Sequence, residues 1–175
     1  MRRCEGRSWL ADAVRGAVAG AVATWLMDLV TAGLLEGQSE ETTRREQAAR
    51  PNGKGSVENL VDRIEAMSGR SLDESQRSML SLGIHFGLGI GPGAIYGALR
   101  HRLPQLAAGR GLLYGLLLWA FNDELATSAL GLAGPFGAYP LETHWRGFVG
   151  HAVLGVATDT GIELLSVPTD RWTGS

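Results

Sequence analysis

The last apolar segment of the chain, residues 145–165, constrains the fold more than any other stretch. Every fourth residue along one line of it is glycine or ionisable: Gly147, His151, Gly155, Asp159, Glu163. Residues four apart share one face of a helix. In water such a face would turn to solvent, whereas in lipid it would turn towards other helices. Because three earlier segments carry a similar face, the sequence predicts a small bundle of membrane helices around a polar layer.

Four apolar segments are close to the roughly 20 residues that a helix needs to cross a bilayer. They cover residues 14–35, 79–99, 111–130 and 145–165. We therefore predict an all-α fold, a four-transmembrane-helix bundle, with residues 1–175 forming one integral membrane domain. A partly helical extramembrane segment, residues 36–78, is expected between the first two spans. A soluble helical bundle is the main alternative architecture.

Glycine supports the membrane interpretation, since it makes up 25 of 175 residues, about twice the usual share of roughly 7%. In water each glycine inside a helix costs about 1 kcal/mol, but in membranes GxxxG-type spacing lets two helices approach closely. The second span carries two such ridges: Gly83, Gly87 and Gly91 on one face, and His85, Gly89, Gly93 and Gly97 on another. These ridges predict helix–helix contacts.

The polar segment between the first two spans contains recognisable helix ends. Ser39 and Ser56 are predicted N-caps, and the sequence at 51–53 (Pro-Asn-Gly) is a predicted stop between them. The amphipathic piece that follows Ser56 is predicted to end at Gly69. The sequence at 71–74 predicts a capping box that starts the helix of the second span. Since the amphipathic piece lacks the basic face of a lipid-binding helix, we expect it to pack on the protein as a lid.

Arginine placement predicts the orientation. The N-terminal residues and the connection 100–110 are rich in arginine, and such segments stay cytoplasmic. Four crossings then place both termini in the cytoplasm. The net charge of −2 predicts no nucleic-acid partner, and the single Cys4 excludes an internal disulfide or a cysteine-based zinc cluster. The lipid bilayer is the expected partner, and no protein partner can be named from the sequence.

Ionisable residues recur at one depth in the predicted spans, about 10 Å below the outer surface at 1.5 Å per residue. They form a predicted buried polar layer: Asp28, His85, Asp123, Glu124 and His151. A carboxylate at this depth costs about 3 kcal/mol, and the interior of the spans offers no lysine or arginine, so histidines are the expected partners. Asp159 and Glu163 approach the cytoplasmic end, where arginines can neutralise them, and are predicted to be structural. His144 and Glu142 are expected in a solvent-facing outer loop.

Three functions are compatible with this layer. The leading hypothesis is a proton- or cation-responsive or -conducting site, because buried imidazoles beside carboxylates can titrate near physiological pH. A second is a membrane enzyme with a divalent metal or haem, for which His85, His151, Asp123 and Glu124 are candidate ligands. A third is a structural or accessory protein in which the layer only supplies interhelical hydrogen bonds, each worth about 0.6 kcal/mol. No nucleophile with an adjacent base is recognisable, so the sequence favours a protein that is not an enzyme, and no cofactor is indicated firmly.

Several of these residues also carry a family resemblance: His85, Tyr96, Gly111, Gly115, Gly131 with Leu132, and Gly150 with His151. Over residues 79–165, and more loosely over 14–35, the chain resembles the YagU-like family of bacterial inner-membrane proteins. It departs from the family pattern at Asp123, where a histidine is expected. The resemblance implies a multi-pass protein of the bacterial plasma membrane and implies no particular reaction.

Overall fold

The computed structural model describes residues 8–166. Most of the arginine-rich N-terminal stretch lies in residues 1–7, outside the described part, as do residues 167–175. Every regular element within residues 8–166 is helical, so the all-α prediction is confirmed. The helices are α1 (Trp9–Glu36), α2 (Glu40–Ala49), α3 (Ser56–Ser68), α4 (Glu74–Leu99), α5 and α6 (Leu141–Leu165). Helix α5 runs continuously through Leu112–Leu118, Trp119–Ala126 and Thr127–Ala129, and its middle part is a π-helix.

Three described helices, α1, α4 and α6, are long and apolar enough to cross a membrane. The predicted fourth span, α5, is not confirmed because the π-helix divides it into short pieces. Large apolar side chains remain exposed along one face of α1: Val14, Val18, Val22, Trp25 and Leu29. Apolar surface of this extent fits contact with lipid better than contact with water.

Three helices begin four or five residues before the predicted spans. Helix α1 begins at Trp9 behind the N-cap Ser8, and α4 begins at Glu74 behind Asp73, which forms a capping box with Gln76. Helix α6 begins at Leu141, directly after Pro140. The predicted spans follow long apolar runs and therefore begin after the polar residues of the first turns, although the predicted capping box at 71–74 did indicate the early start of α4. The first turns of α1 and α4 are capped by Ser8 and Asp73. In particular, the predicted loop at 134–144 is wrong in its last four residues, which form the first turn of α6.

Helix α1 lies at the centre of the bundle, with α4 on one side and α6 on the other, while α5 packs on α6. Glycine makes the α1–α4 contact close: a Cβ on Gly93 would lie 2.6 Å from the carbonyl oxygen of Gly16. A Cβ on Gly115 of α5 would lie 3.0 Å from the Cα of Gly155 in α6. The other predicted ridge on α4 (Gly83, Gly87, Gly91) meets nothing within 4 Å in the described chain.

The segment between α1 and α4, called the cap here and comprising residues 37–73, covers one end of the bundle, which we call the cap end. As predicted, Ser39 caps α2 and Gly69 lies in the left-handed region after α3. The prediction that Ser56 caps α3 is wrong, because Ser56 is the first helical residue and Gly55 holds the N-cap position. The side chain of Asn59 in α3 donates to the carbonyl oxygen of Leu132 at 3.0 Å. Arg77 of α4 pairs with Asp62 of α3. The prediction that the amphipathic piece packs on the protein is therefore confirmed.

The opposite end of the bundle is closed by a buried tyrosine pair and an ion pair. The rings of Tyr96 and Tyr114 stack with centroids 4.3 Å apart, and the hydroxyl of Tyr96 donates to Asp159 at 2.5 Å. Arg100 lies 3.2 Å from Asp159 and 3.4 Å from Glu163. Arg100 is thus the arginine that neutralises the two acids, in line with the structural role expected for them.

Candidate functional site

A cavity of about 300 Å³ lies between α1, α4, α5 and α6 towards the cap end of the bundle. Leu118 and Leu154 line it together with polar groups, and Val57 of α3 and Tyr139 of the connection before α6 also border it. Four of the five residues of the predicted polar layer line this cavity: His85, Asp123, Glu124 and His151. The fifth, Asp28, does not line the cavity but contacts His85, which does. The structure therefore brings the predicted layer together around one space.

The first histidine–carboxylate pair joins α4 to α1. The Nε2 atom of His85 lies 2.9 Å and 3.0 Å from the two carboxylate oxygens of Asp28. Both side chains are about one-third exposed, so the pair stands at the edge of the bundle rather than in its core. Because Nε2 faces two acceptor oxygens, this nitrogen carries the hydrogen when Asp28 is ionised.

The second pair joins α6 to α5. His151 is buried, and its Nδ1 atom lies 3.1 Å from the carbonyl oxygen of Gly147 and 3.6 Å from a carboxylate oxygen of Asp123. A carbonyl can only accept, so Nδ1 is the donor and Nε2 is left as the basic nitrogen. The other carboxylate oxygen of Asp123 accepts from the amide of Asn122 at 2.9 Å.

The third pair corrects a prediction. His144 does not face solvent from an outer loop: it lies in the first turn of α6, with Nδ1 2.8 Å from Glu124 and Nε2 3.1 Å from the carbonyl oxygen of Phe136. Its ring stacks on that of Phe136 at 4.1 Å. The missed signal was helical spacing, because His144, Gly147 and His151 recur at positions that share one helix face. Glu142, by contrast, is exposed as expected.

The geometry of this third pair requires a shared proton. Nε2 of His144 must donate to the carbonyl of Phe136, since a carbonyl oxygen has no hydrogen to give. The short Nδ1–Glu124 contact then contains one more proton, carried either by the imidazole or by the carboxyl group. His144 and Glu124 therefore share one proton, either as imidazolium with carboxylate or as imidazole with carboxylic acid.

The π-helix explains how α5 directs so many polar groups to one space. Its hydrogen bonds join residues five apart, as from the amide of Thr127 to the carbonyl of Asn122. A π turn holds more residues than an α turn, so consecutive side chains diverge less. As a result Asn122, Asp123 and Glu124 all line the cavity. Such turns are frequent at functional sites.

Within the described part of the chain, the cavity lining contains acidic side chains and histidines but no permanently positive side chain. Among residues 8–166, no lysine or arginine lines it, whereas two carboxylates and three imidazoles do. Aromatic side chains complete the lining: Trp119, Phe136 and Tyr139. Within the same residues, no three histidine, cysteine, aspartate or glutamate side chains are grouped so that they could hold a metal ion. The paired arrangement therefore gives no geometric support to a metal ion held by three or more of these side chains.

A separate polar cluster fixes the cap to α6. Glu46 of α2 is 4% exposed, and both its oxygens lie 2.8 Å from the guanidinium of Arg146. Arg50 and Thr143 also donate to it, at 2.6 Å and 3.1 Å. Burial by itself raises the pKa of Glu46, but the hydrogen bonds from Arg146 and Arg50 outweigh it and lower the pKa from 4.5 to about 2. Sequence reasoning missed this cluster because Glu46 lies in a polar segment where nothing marks it as buried.

No protein-family model, curated protein or solved structure matches this chain. The function is therefore argued from the cavity and its side chains.

Proposed function

We propose that the chain is a multi-pass protein of the bacterial plasma membrane whose cavity takes up protons or small cations and passes them or responds to them. In this proposal four helices cross the bilayer and both termini are cytoplasmic. The arginine distribution supports the orientation, and the resemblance to YagU-like proteins supports the location. The exposed apolar surface of α1, α4 and α6 supports the membrane setting.

Helix α5 is the proposed fourth crossing. Its 18 residues, 112–129, would span about 27 Å at the α-helical rise and somewhat less with the π-helix, a little short of the roughly 30 Å of the bilayer core. Its outer face is apolar and exposed at Leu113, Leu117, Phe121 and Leu125. A lipid-facing side opposite a cavity-facing side is the pattern of a spanning helix in a bundle.

The observation that carries the proposed function is the set of three histidine–carboxylate pairs at one cavity. A proton can move within such a pair without leaving a net charge buried, since imidazolium with carboxylate becomes imidazole with carboxylic acid. This avoids much of the cost of an isolated charge in the bilayer. Glu124 and Asp123 are adjacent in α5 and pair with different histidines, His144 and His151. Glu124 and His144 are in hydrogen-bond contact, whereas Asp123 lies near His151, at 3.6 Å, without a hydrogen bond to it. The four groups therefore offer neighbouring proton-accepting positions along the cavity.

The test is proton flux in liposomes that contain a pH-sensitive dye, driven by a potassium diffusion potential. We expect the purified protein to accelerate proton entry and the His151→Ala and Asp28→Asn variants to lose most of this activity, by at least about tenfold. Glu142→Gln is the matched control, because this carboxylate is exposed and does not line the cavity. Flux equal to that of empty liposomes, or unchanged flux in both cavity variants, would contradict the proposal.

A structural role is the second candidate. It is favoured because each pair joins two different helices, and because His144 also contacts the connection before α6 at Phe136. In that case the cavity variants would lower the thermal stability in detergent, and no variant would change proton entry. Measuring stability beside flux for the same variants separates the two candidates.

A further inference from the structure

We infer that the cavity is a binding site for a small organic ammonium ion. This inference rests on the proposed function, since it names the kind of cation that the cavity takes. Size is the first argument. A volume of about 300 Å³ equals the liquid volume of about ten water molecules, far more than a proton or a bare metal ion needs. It lies at the lower end of the range for small-molecule sites.

The free carboxylate oxygen of Asp123 is the second argument. One oxygen accepts from Asn122, and the other lies 3.6 Å from Nδ1 of His151, whose hydrogen is directed to Gly147. Within the described residues this second oxygen has no hydrogen-bond donor of its own. No lysine or arginine of residues 8–166 lines the cavity, so a positive group on a ligand is the natural partner for Asp123.

The aromatic side chains distinguish an organic cation from a metal ion. Trp119 and Tyr139 border the same space as Asp123, and so does Phe136, one face of which is covered by the ring of His144. Aromatic faces attract alkylated ammonium groups by cation–π interactions, best at tryptophan. Hard metal ions instead need several oxygen or nitrogen ligands together, and residues 8–166 contain no such group of three. A single carboxylate with aromatic neighbours suits a monovalent alkylammonium ion.

The probe is choline, and its comparator is 3,3-dimethyl-1-butanol, in which carbon replaces the charged nitrogen. Calorimetry on the full chain in phosphatidylglycerol nanodiscs should show choline binding at least about tenfold more tightly than its neutral isostere. Asp123→Asn should remove this preference, while Glu142→Gln should keep it. Equal binding of the two compounds, or binding of neither at millimolar concentration, would overturn the inference.

A second variant guards against misfolding of Asp123→Asn. Trp119→Leu keeps the charge and should weaken choline binding about five- to tenfold, whereas Trp25→Leu, on the exposed face of α1, should leave it unchanged. Choline affinity that is the same in both tryptophan variants would contradict the aromatic contact. Circular dichroism and gel filtration confirm folding in each case.

The ammonium group could belong to a soluble compound or to a lipid headgroup. Repeating the titration in nanodiscs that contain phosphatidylethanolamine separates these sources. Competition by this lipid would support the site and assign it to a headgroup, while undiminished choline binding would support a soluble ligand. Proton flux without choline binding would overturn this inference alone, whereas selective choline binding without proton flux would overturn only the passage of protons.

Discussion

Glu46 is the residue whose ionisation has the clearest consequence for stability. Its pKa is lowered from 4.5 to about 2 because the donors around it outweigh the effect of burial. A carboxyl group with a lowered pKa stabilises the folded state fully above its unfolded pKa, and this contribution disappears as pH falls towards the folded pKa. For Glu46 the contribution is therefore present above about pH 4.5 and is lost between about pH 4.5 and pH 2.

We expect Glu46→Gln to destabilise the protein at pH 7 by about 2 kcal/mol or more, because Arg146 and Arg50 would lose their charged partner. The difference from wild type should shrink at pH 3. Thermal unfolding in detergent at pH 7, 5 and 3 provides the comparison. Glu41→Gln is the control, since Glu41 forms an exposed pair with Arg44 on the same helix and should change stability by less than about 0.5 kcal/mol. A pH-independent effect of Glu46→Gln would contradict this explanation.

For His144, neither its place in a helix nor its partner was predictable from the sequence. The polar layer was predictable because ionisable residues are costly inside apolar segments. The pairing was not, since which imidazole meets which carboxylate depends on the order of helices around the cavity. His144 was assigned to a loop because Pro135 and Pro140 precede it, although Pro140 in fact stands just before the first turn of α6, a favourable position for proline.

At the scale of elements, the glycine ridges make the α1–α4 contact specific. Gly93 faces the backbone of Gly16 and Gly20 on α1, while Gly87, on the same helix, faces open space. Both are glycines inside α4, and they differ in what their missing side chains would meet, although Gly93 also follows Pro92. They therefore form a matched pair for substitution.

Gly93→Ala should destabilise the bundle by about 1–3 kcal/mol, because its Cβ would lie 2.6 Å from a backbone oxygen that cannot move aside alone. Gly87→Ala should be neutral or should stabilise α4 by up to about 1 kcal/mol, since alanine favours the helix. Thermal unfolding of the two variants side by side is the measurement. Equal destabilisation by both would show that glycine acts through helix flexibility rather than through close packing.

Helix ends were predictable and the π-helix was not. The start at Ser39 and the stop at Gly69 depend on capping by neighbours in the sequence, and the start of α4 was predicted close to its place, although its cap is Asp73 rather than Ser71. The π-helix in α5, which turns Asn122, Asp123 and Glu124 towards one cavity, has no comparable local signal in the sequence. A helix therefore lies where the span 111–130 was predicted, but the π-helix interrupts its regularity, and its crossing of a membrane stays a prediction.

At the scale of the whole molecule, the bundle has an apolar exterior and a polar cavity. The exposed residues of α5 include Leu125, which is 60% exposed, whereas Thr127, two residues further on, lines the cavity. In a soluble bundle of this fold, water would reach Leu125 more readily than Thr127. In a membrane bundle with a water-accessible cavity, lipid would cover Leu125 and water would reach Thr127. The same contrast tests whether α5 crosses the bilayer, which hydrophobicity and helix length alone do not confirm.

The most direct test compares the reaction of Leu125→Cys and Thr127→Cys with a charged, water-soluble thiol reagent. Both are made in a Cys4→Ser background, since Cys4 is the only native cysteine, and both are measured in liposomes. A membrane bundle with a water-accessible cavity predicts that Thr127→Cys reacts much faster than Leu125→Cys, which lipid would shield. Faster reaction at Leu125→Cys would show that the exposed face of α5 meets water and would contradict the membrane assignment on which the proposed function depends.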